Sequence, residues 1–267
     1  MKGPVIVEGR INGIDVSSVN RITNPKAIKD AGFEYAYIQS SRYSRTPELS
    51  FARTLGQLRD AGLSCGAYHF CSHDTDPRKQ AEFFYKASGG LGSKPGELPP
   101  MVDWEYCTPS KYADAELYPE GHPQHCVDWL ATFLAHVMEL WYPDNANRLL
   151  QRFPVVYTYP TYSGAHQPAL AAKKELNGYP LAYASYKLGP WLPKEGQGPL
   201  HHLPLPFSHW TLWQYSGDLG LPVPGIAGAC DRQVFNGTGA EWDNFRGVRR
   251  DVSASSYQVK VDEVLRK

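Results

Sequence analysis

Asp103 and Glu105 stand two residues apart in the run Pro99-Pro100-Met101-Val102-Asp103-Trp104-Glu105, and chemistry is first expected there. Side chains of an extended strand alternate between its faces, so the two carboxyl groups share one face with Cβ atoms about 6.5 Å apart, while Val102 and Trp104 face the other way. Like charges that close resist joint ionisation. One of the two should keep its proton towards neutral pH, and a proton donor beside a carboxylate is the equipment for hydrolysing a glycosidic bond. Asp-x-Glu also occurs on solvated edge strands, paired with Lys or Arg. Here no basic residue lies within four positions of either acid and the neighbours Met101, Val102 and Trp104 are apolar. Unpaired acids in such a setting are costly unless they have work.

The elements that must position the pair alternate between strand and helix. Strands are expected at 11–16, 33–38, 63–70, the Asp103 segment, 154–159, 180–186 and 209–215, with a short last one at 230–235. Asn24, Pro25 and Gly32 punctuate a first helix as N-cap, first position and stop. Leu49, Ala52, Leu55, Leu58 and Ala61 recur at helical spacing before Gly62. Asp76-Pro77 opens a third helix that Gly89-Gly90 ends. Cys126, Leu130, Phe133, Val137 and Trp141 line one face of a fourth, and an Ala-rich helix is expected at 165–176. Residues 106–125 read as a long irregular connection, a length that usually serves function when it occurs in a compact domain.

This order predicts an α/β fold: a single irregular, flattened parallel barrel of about eight strands with an incomplete helical ring, occupying residues 1–241, with 242–267 as a C-terminal extension rather than a separate domain. An open doubly wound sheet is the other possibility. It lacks a Gly-x-Gly-x-x-Gly or Walker-type loop at any helix start. Barrel enzymes carry their chemistry at the carboxyl ends of strands. Asp15 lies near the end of the first strand, Asp103 and Glu105 at the end of the fourth and Asp231 near the last, so the acids should converge on one rim.

Composition narrows the partner. Lys plus Arg equal Asp plus Glu at 27 each in 267 residues, which gives no general attraction to nucleic acid or anionic membrane. Seventeen Tyr and seven Trp supply rings able to cover the apolar faces of sugars. Five cysteines without a regular framework fit a reducing compartment or free buried thiols better than a disulfide scaffold. His69, Cys71, His73 and Asp74 raise the thought of zinc, but their spacing is not a strong metal signature and the start of a strand-to-helix loop is the preferred reading. Cys107 with His122 or His125 lacks a demonstrated thiolate-stabilising setting. His201, His202 and His209 read as loop and surface residues.

The ordered blocks Gly13-Ile14-Asp15-Val16-Ser17-Ser18, Gly66-Ala67-Tyr68-His69-Phe70, Pro100-Met101-Val102-Asp103-Trp104-Glu105 and Trp213-Gln214-Tyr215-Ser216 with Asp231 resemble the signature blocks of glycoside hydrolase family 25 lysozymes, from about residue 11 to 236. The resemblance implies an irregular β/α barrel that hydrolyses the β-1,4 bond between N-acetylmuramic acid and N-acetylglucosamine in peptidoglycan, with no metal or organic cofactor. By motif position it makes Glu105 the general acid and Asp103 the nucleophile or the partner of the substrate's 2-acetamido group. Asp15 and Asp231 become supporting acids, and Tyr68, Tyr157, Tyr183 and Gln214 substrate-binding residues. Where that family usually reads Ile-Lys-Ala-Thr-Glu-Gly, this chain has Ile38-Gln39-Ser40-Ser41-Arg42-Tyr43, which sets a base in place of an acid. Gln233 stands where Asn is usual. Arg42 and the long segments 106–125 and 187–208 prompt the rival reading, a glycan-binding or structural protein on the same barrel, against which the presence of all four acids weighs. The amino terminus lacks the apolar core of a secretory signal. The expectation is therefore cytoplasmic synthesis, an endolysin-like habit and action on the wall after release by another agent.

Overall fold

A strand bonded on both of its edges by strands from opposite ends of the chain closes a barrel, and β1 (Ile11–Val16) is that strand. The computed structural model describes residues 6–43, 45–73, 75–106, 123–143, 152–217 and 220–248. After β1 come β2 (Arg21–Ile22), β3 (Phe33–Arg42), β4 (Thr46–Pro47), β5 (Ser64–Phe70) and β6 (Met101–Asp103). Then follow β7 (Val155–Thr158), β8 (Leu181–Ala184), β9 (Leu212–Ser216), β10 (Ile226–Ala227) and β11 (Asp231–Phe235). The main sheet runs β1-β11-β9-β8-β7-β6-β5-β3-β4, and the β1–β3 pairing turns it into a closed ring of eight with β4 as an added edge. β2 and β10 form a separate small pair.

The ring is parallel from β1 through β3, β5, β6, β7 and β8 to β9, but β11 pairs antiparallel with both β9 and β1. The expectation of an all-parallel barrel is corrected at this strand. A parallel neighbour requires a crossover that returns the chain to the opposite end of the sheet. The described residues between Ser216 and Asp231 contain only β10 and turns, so the chain re-enters at the rim it has just left. β11 therefore begins where β1 ends, and Asp15 is the register partner of Asp231.

Alternation then sorts the side chains into two layers. Tyr35, Tyr37, Tyr68, Met101, Val155, Ala182, Leu212 and Phe235 fill the interior, while Ile14, Ala36, Ile38, Ala67, Val102, Val156 and Leu181 meet the helices outside. Gly13 is required by this packing: a Cβ there would stand 2.2 Å from the Tyr35 ring.

The helices are α1 (Pro25–Asp30), α2 (Phe51–Asp60), α3 (Pro77–Ser88), α4 (Pro123–Trp141), α5 (Pro160–Ala165), α6 (Gln167–Ala172) and α7 (Gly239–Phe245). Asn24 caps α1 through the Ala27 amide and Asp76 caps α3 through the Arg78 and Lys79 amides, with Gly89 left-handed at the far end. The Ala-rich helix expected at 165–176 is instead α6 and a 3-10 turn, Lys174–Gly178, separated from α5 at His166. Pro168 fits only the first turn of a new helix, because it has no N–H to give to the turn before. No helix covers the β8–β9 connection, so the helical ring is incomplete.

α7 straddles the boundary expected at 241. Its buried Trp242 packs on Tyr35 and Phe235 at ring-centroid distances of 5.1 Å, which closes the floor of the barrel. Among the described residues no helix is long and apolar enough to cross a membrane.

Gly13→Ala is expected to destabilise the protein by about 1–3 kcal/mol, the usual cost of overpacking. Gly56→Ala, in α2 where an added methyl meets nothing within 4 Å, should stabilise it by about 0.5–1 kcal/mol. Urea unfolding of both variants checks the pair. A Gly13→Ala protein as stable as the parent contradicts the placement of the Tyr35 ring.

Candidate active site

The carboxyl ends of the parallel strands and the start of β11 surround a cavity of about 240 Å³. Asp15, Asp103, Glu105 and Asp231 all line it, together with Tyr68, Tyr157 and Gln214. The parallel strands carry Asp15 and Asp103 to this rim at their ends, and the reversed β11 carries Asp231 to it at its beginning. β6 itself stops at Asp103, so Glu105 stands in the bend just beyond the strand rather than on it.

The alternation nevertheless persists through that bend. Met101, Asp103 and Glu105 face the cavity, whereas Val102 and Trp104 belong to the outer core. Trp104 is fully buried against Tyr162 at 4.8 Å and His166 at 5.2 Å between ring centroids. Its amide donates to the Tyr157 carbonyl at 2.9 Å, and the Asp103 carbonyl accepts from the Cys71 amide at 3.2 Å. Backbone and indole together fix the two carboxyl groups.

Asp103 is only 8% exposed, and among the described residues its Oδ1 has no hydrogen-bond partner. Burial, then the charges of Glu105, Asp15 and Asp231, raise its pKa well above the usual carboxylate range. Burial, then Asp15, pushes Glu105 up to about 7. The cavity therefore holds a proton on its acids at neutral pH, with the half-buried Glu105 as the more accessible donor.

The supporting acids are bridged by amides. Gln214 Nε2 donates to Asp15 Oδ2 at 3.0 Å and to Asp231 Oδ2 at 3.3 Å, while its Oε1 accepts from the Tyr157 hydroxyl at 3.0 Å. Gln233 Nε2 donates to Asp15 Oδ2 at 2.5 Å. Burial and the nearby acids raise Tyr68 and Tyr157 well above the ordinary phenol range, so both remain O–H donors.

Tyr183, expected to bind substrate, does not line the cavity. It lies on the outer face of β8, in the helix-facing core, and its hydroxyl donates to the His202 carbonyl at 3.0 Å. Gln39, Tyr43, Phe70 and Ser17 line the cavity without having been singled out for it. Gln39 and Tyr43 were legible only as departures from a family pattern, and Ser17 and Phe70 carried no signal of their own.

His69 is not available to a metal. One ring nitrogen lies 2.9 Å from Ser41 Oγ and the other 3.0 Å from Gln80 Oε1, with the ring stacked on Phe84 and Phe133. Burial, then the neighbouring imidazoles His166 and His125, lowers His73 to about 3. Among the described residues no group of three His, Cys, Asp or Glu could hold an ion. Asp74, Cys107 and His122 lie outside the described residues. His125 contacts the His73 carbonyl at 3.1 Å, and His201 contacts Ser185 Oγ at 2.8 Å.

The sequence model for Glycosyl hydrolases family 25 matches residues 14–223. Lysozyme M1 of Streptomyces globisporus is 28% identical over 239 residues, which is 89% of this chain and 71% of that protein. The crystal structure of the bacterial lysozyme from Streptomyces coelicolor superimposes with a TM-score of 0.71 at 24% identity, covering 90% of this chain and 98% of that one. A muramidase from Trichobolus zukalii gives a TM-score of 0.68 at 21% identity, covering 90% of this chain and all of that one (100%). These last two likenesses are of fold.

Holding Glu105 near 7 has a stability consequence. A carboxyl whose folded pKa lies above its ordinary 4.5 supplies stability that is fully present below that value and lost as pH rises through about 7. Glu105→Gln is free of that loss. Its stability relative to the parent should therefore grow by about 1–3 kcal/mol between pH 4 and pH 8. Chemical denaturation at the two pH values measures the difference, and a constant difference contradicts the raised pKa.

Proposed function

The chain belongs to glycosyl hydrolases family 25 and is a glycoside hydrolase of the lysozyme kind, and on that premise we propose that its cavity cuts the β-1,4 bond between N-acetylmuramic acid and N-acetylglucosamine in peptidoglycan with retention of configuration. The observation that carries this reading is a carboxylic acid held near neutrality, Glu105, beside the buried carboxyl of Asp103 in a sugar-sized hollow.

Glu105 gives its proton to the leaving glycosidic oxygen, so the departing sugar leaves as a neutral alcohol. The Asp103 carboxyl, which lines the hollow, stabilises the positive charge that develops at the anomeric carbon. That carboxyl acts on the anomeric carbon directly or by orienting the 2-acetamido group for internal attack. Both routes invert configuration twice. Water then adds to the anomeric carbon and passes a proton to Glu105, which restores the acid. Beside burial, Asp15 keeps the donor protonated, and Asp15 and Asp231 both help to raise Asp103. Tyr68 and Tyr157 offer hydroxyls to the sugar.

Digestion of purified peptidoglycan should release new reducing ends at N-acetylmuramic acid, with the β anomer formed first. Glu105→Gln should lower kcat by about 10²–10⁴, the usual worth of a general acid. A wild type that binds the wall without cutting it contradicts the reading, and a first-formed α anomer contradicts retention. The rate should fall as pH rises through about 7, where Glu105 loses its proton. Asp15→Asn should move that alkaline limb to lower pH, because Asp15 is the charge that raises Glu105. A limb unmoved in Asp15→Asn contradicts this coupling.

A further inference from the structure

Among the described residues Arg42 is the one cation lining the cavity, and four carboxyl groups line it as well. A guanidinium in such company normally forks onto a carboxylate. Among the described residues it does not: the ion pairs found elsewhere leave it out, and Arg42 Nη2 donates instead to the neutral Gln39 Oε1 at 2.9 Å. Gln39 is only 3% exposed, so the amide that holds the guanidinium is itself fixed. Arg42 Nη1 and Nε have no such bond and remain as donors.

The backbone beside it is held under strain. Tyr43 has φ +55°, a left-handed conformation that costs a non-glycine residue free energy unless its surroundings impose it. Its amide donates to the Phe70 carbonyl at 2.9 Å, and its ring meets the Phe70 ring edge-on at 5.9 Å. Tyr43 and Phe70 line the cavity with Arg42. The end of β3 thus forms a rigid wall that presents a cation.

We propose that Arg42 binds a carboxylate on the 3-O-lactyl substituent of the muramyl residue, so that this wall selects glycan strands by an anionic side group rather than by the sugar ring. The proposal rests on the glycosidase reading above. The carboxylate has two sources, the lactyl group itself in strands without peptide and the attached peptide in intact wall.

The test measures kcat/KM of wild type, Arg42→Ala, Arg42→Gln and Arg42→Lys on three substrates: peptide-free strands, the same strands with lactyl carboxylates reduced to alcohols, and peptide-bearing strands. Arg42→Ala and Arg42→Gln should lose at least tenfold more on a carboxylate-bearing substrate than on the reduced strands, mainly through KM, and Arg42→Lys should recover part of the loss. A selective loss on peptide-free strands assigns the lactyl carboxylate. A selective loss on peptide-bearing strands alone assigns the peptide.

Wild type supplies a reading that no folding defect can confuse: it should prefer carboxylate-bearing over reduced strands, and added salt should shrink that preference. Equal losses on all three substrates, or a wild type indifferent to reduction, overturn the assignment of Arg42 and leave the glycosidase reading standing. A wild type that cuts none of the three overturns the glycosidase reading itself.

Discussion

Four carboxyl groups gathered on one rim repel one another, and the fold must hold them there at a cost in free energy. The reversed closing strand meets that requirement. Because β11 runs against its neighbours, its first residue rather than its last reaches the carboxyl-end rim, and Asp231 comes into register with Asp15. A parallel β11 would carry Asp231 to the opposite end of the barrel. Burial and this repulsion together appear as a proton retained on Glu105 at a pH where an isolated glutamate has none.

Rigidity behind the rim keeps this crowding from relaxing. Trp104 is sealed among Tyr162, His166 and His73, all outside the barrel, so the chain between the two acids cannot rotate either one towards solvent without exposing an indole. Fully burying a large aromatic side chain contributes about 1.5–3 kcal/mol, comparable to the cost of one displaced carboxyl pKa. At the opposite end Trp242 closes the floor. Polar order inside the cavity comes from neutral amides: Gln214 bridges Asp15 and Asp231 and Gln233 donates to Asp15, neither cancelling a charge.

Much of this was legible in residue types. Asn24-Pro25, Asp76-Pro77 and Gly89 mark helix ends because each acts through its own backbone or short side chain, independently of the tertiary fold. The strand positions and all four acids were legible for the same reason. Strand direction was not, since alternation reads the same in both directions and the reversal of β11 depends on the short connection before it. Tyr183 was misplaced because β8 reads Leu-Ala-Tyr-Ala and is buried on both faces, which removes the polar alternation that would reveal its orientation. β3 runs on to Arg42 through Ser40 and Ser41, polar residues that sequence periodicity could not join to a buried strand. That extension is what brings Arg42 and Tyr43 to the cavity.

The central claim is that burial in the rim, reinforced by the charge of Asp15, sets the protonation of Glu105, rather than the identity of Glu105 alone. The most direct measurement is the ¹³C chemical shift of the Glu105 side-chain carboxyl followed by NMR across pH in the uncomplexed protein. The account predicts a midpoint near 7 for Glu105 and an Asp103 carboxyl that still holds its proton above the ordinary carboxylate range. Midpoints for both groups at ordinary carboxylate values would contradict it.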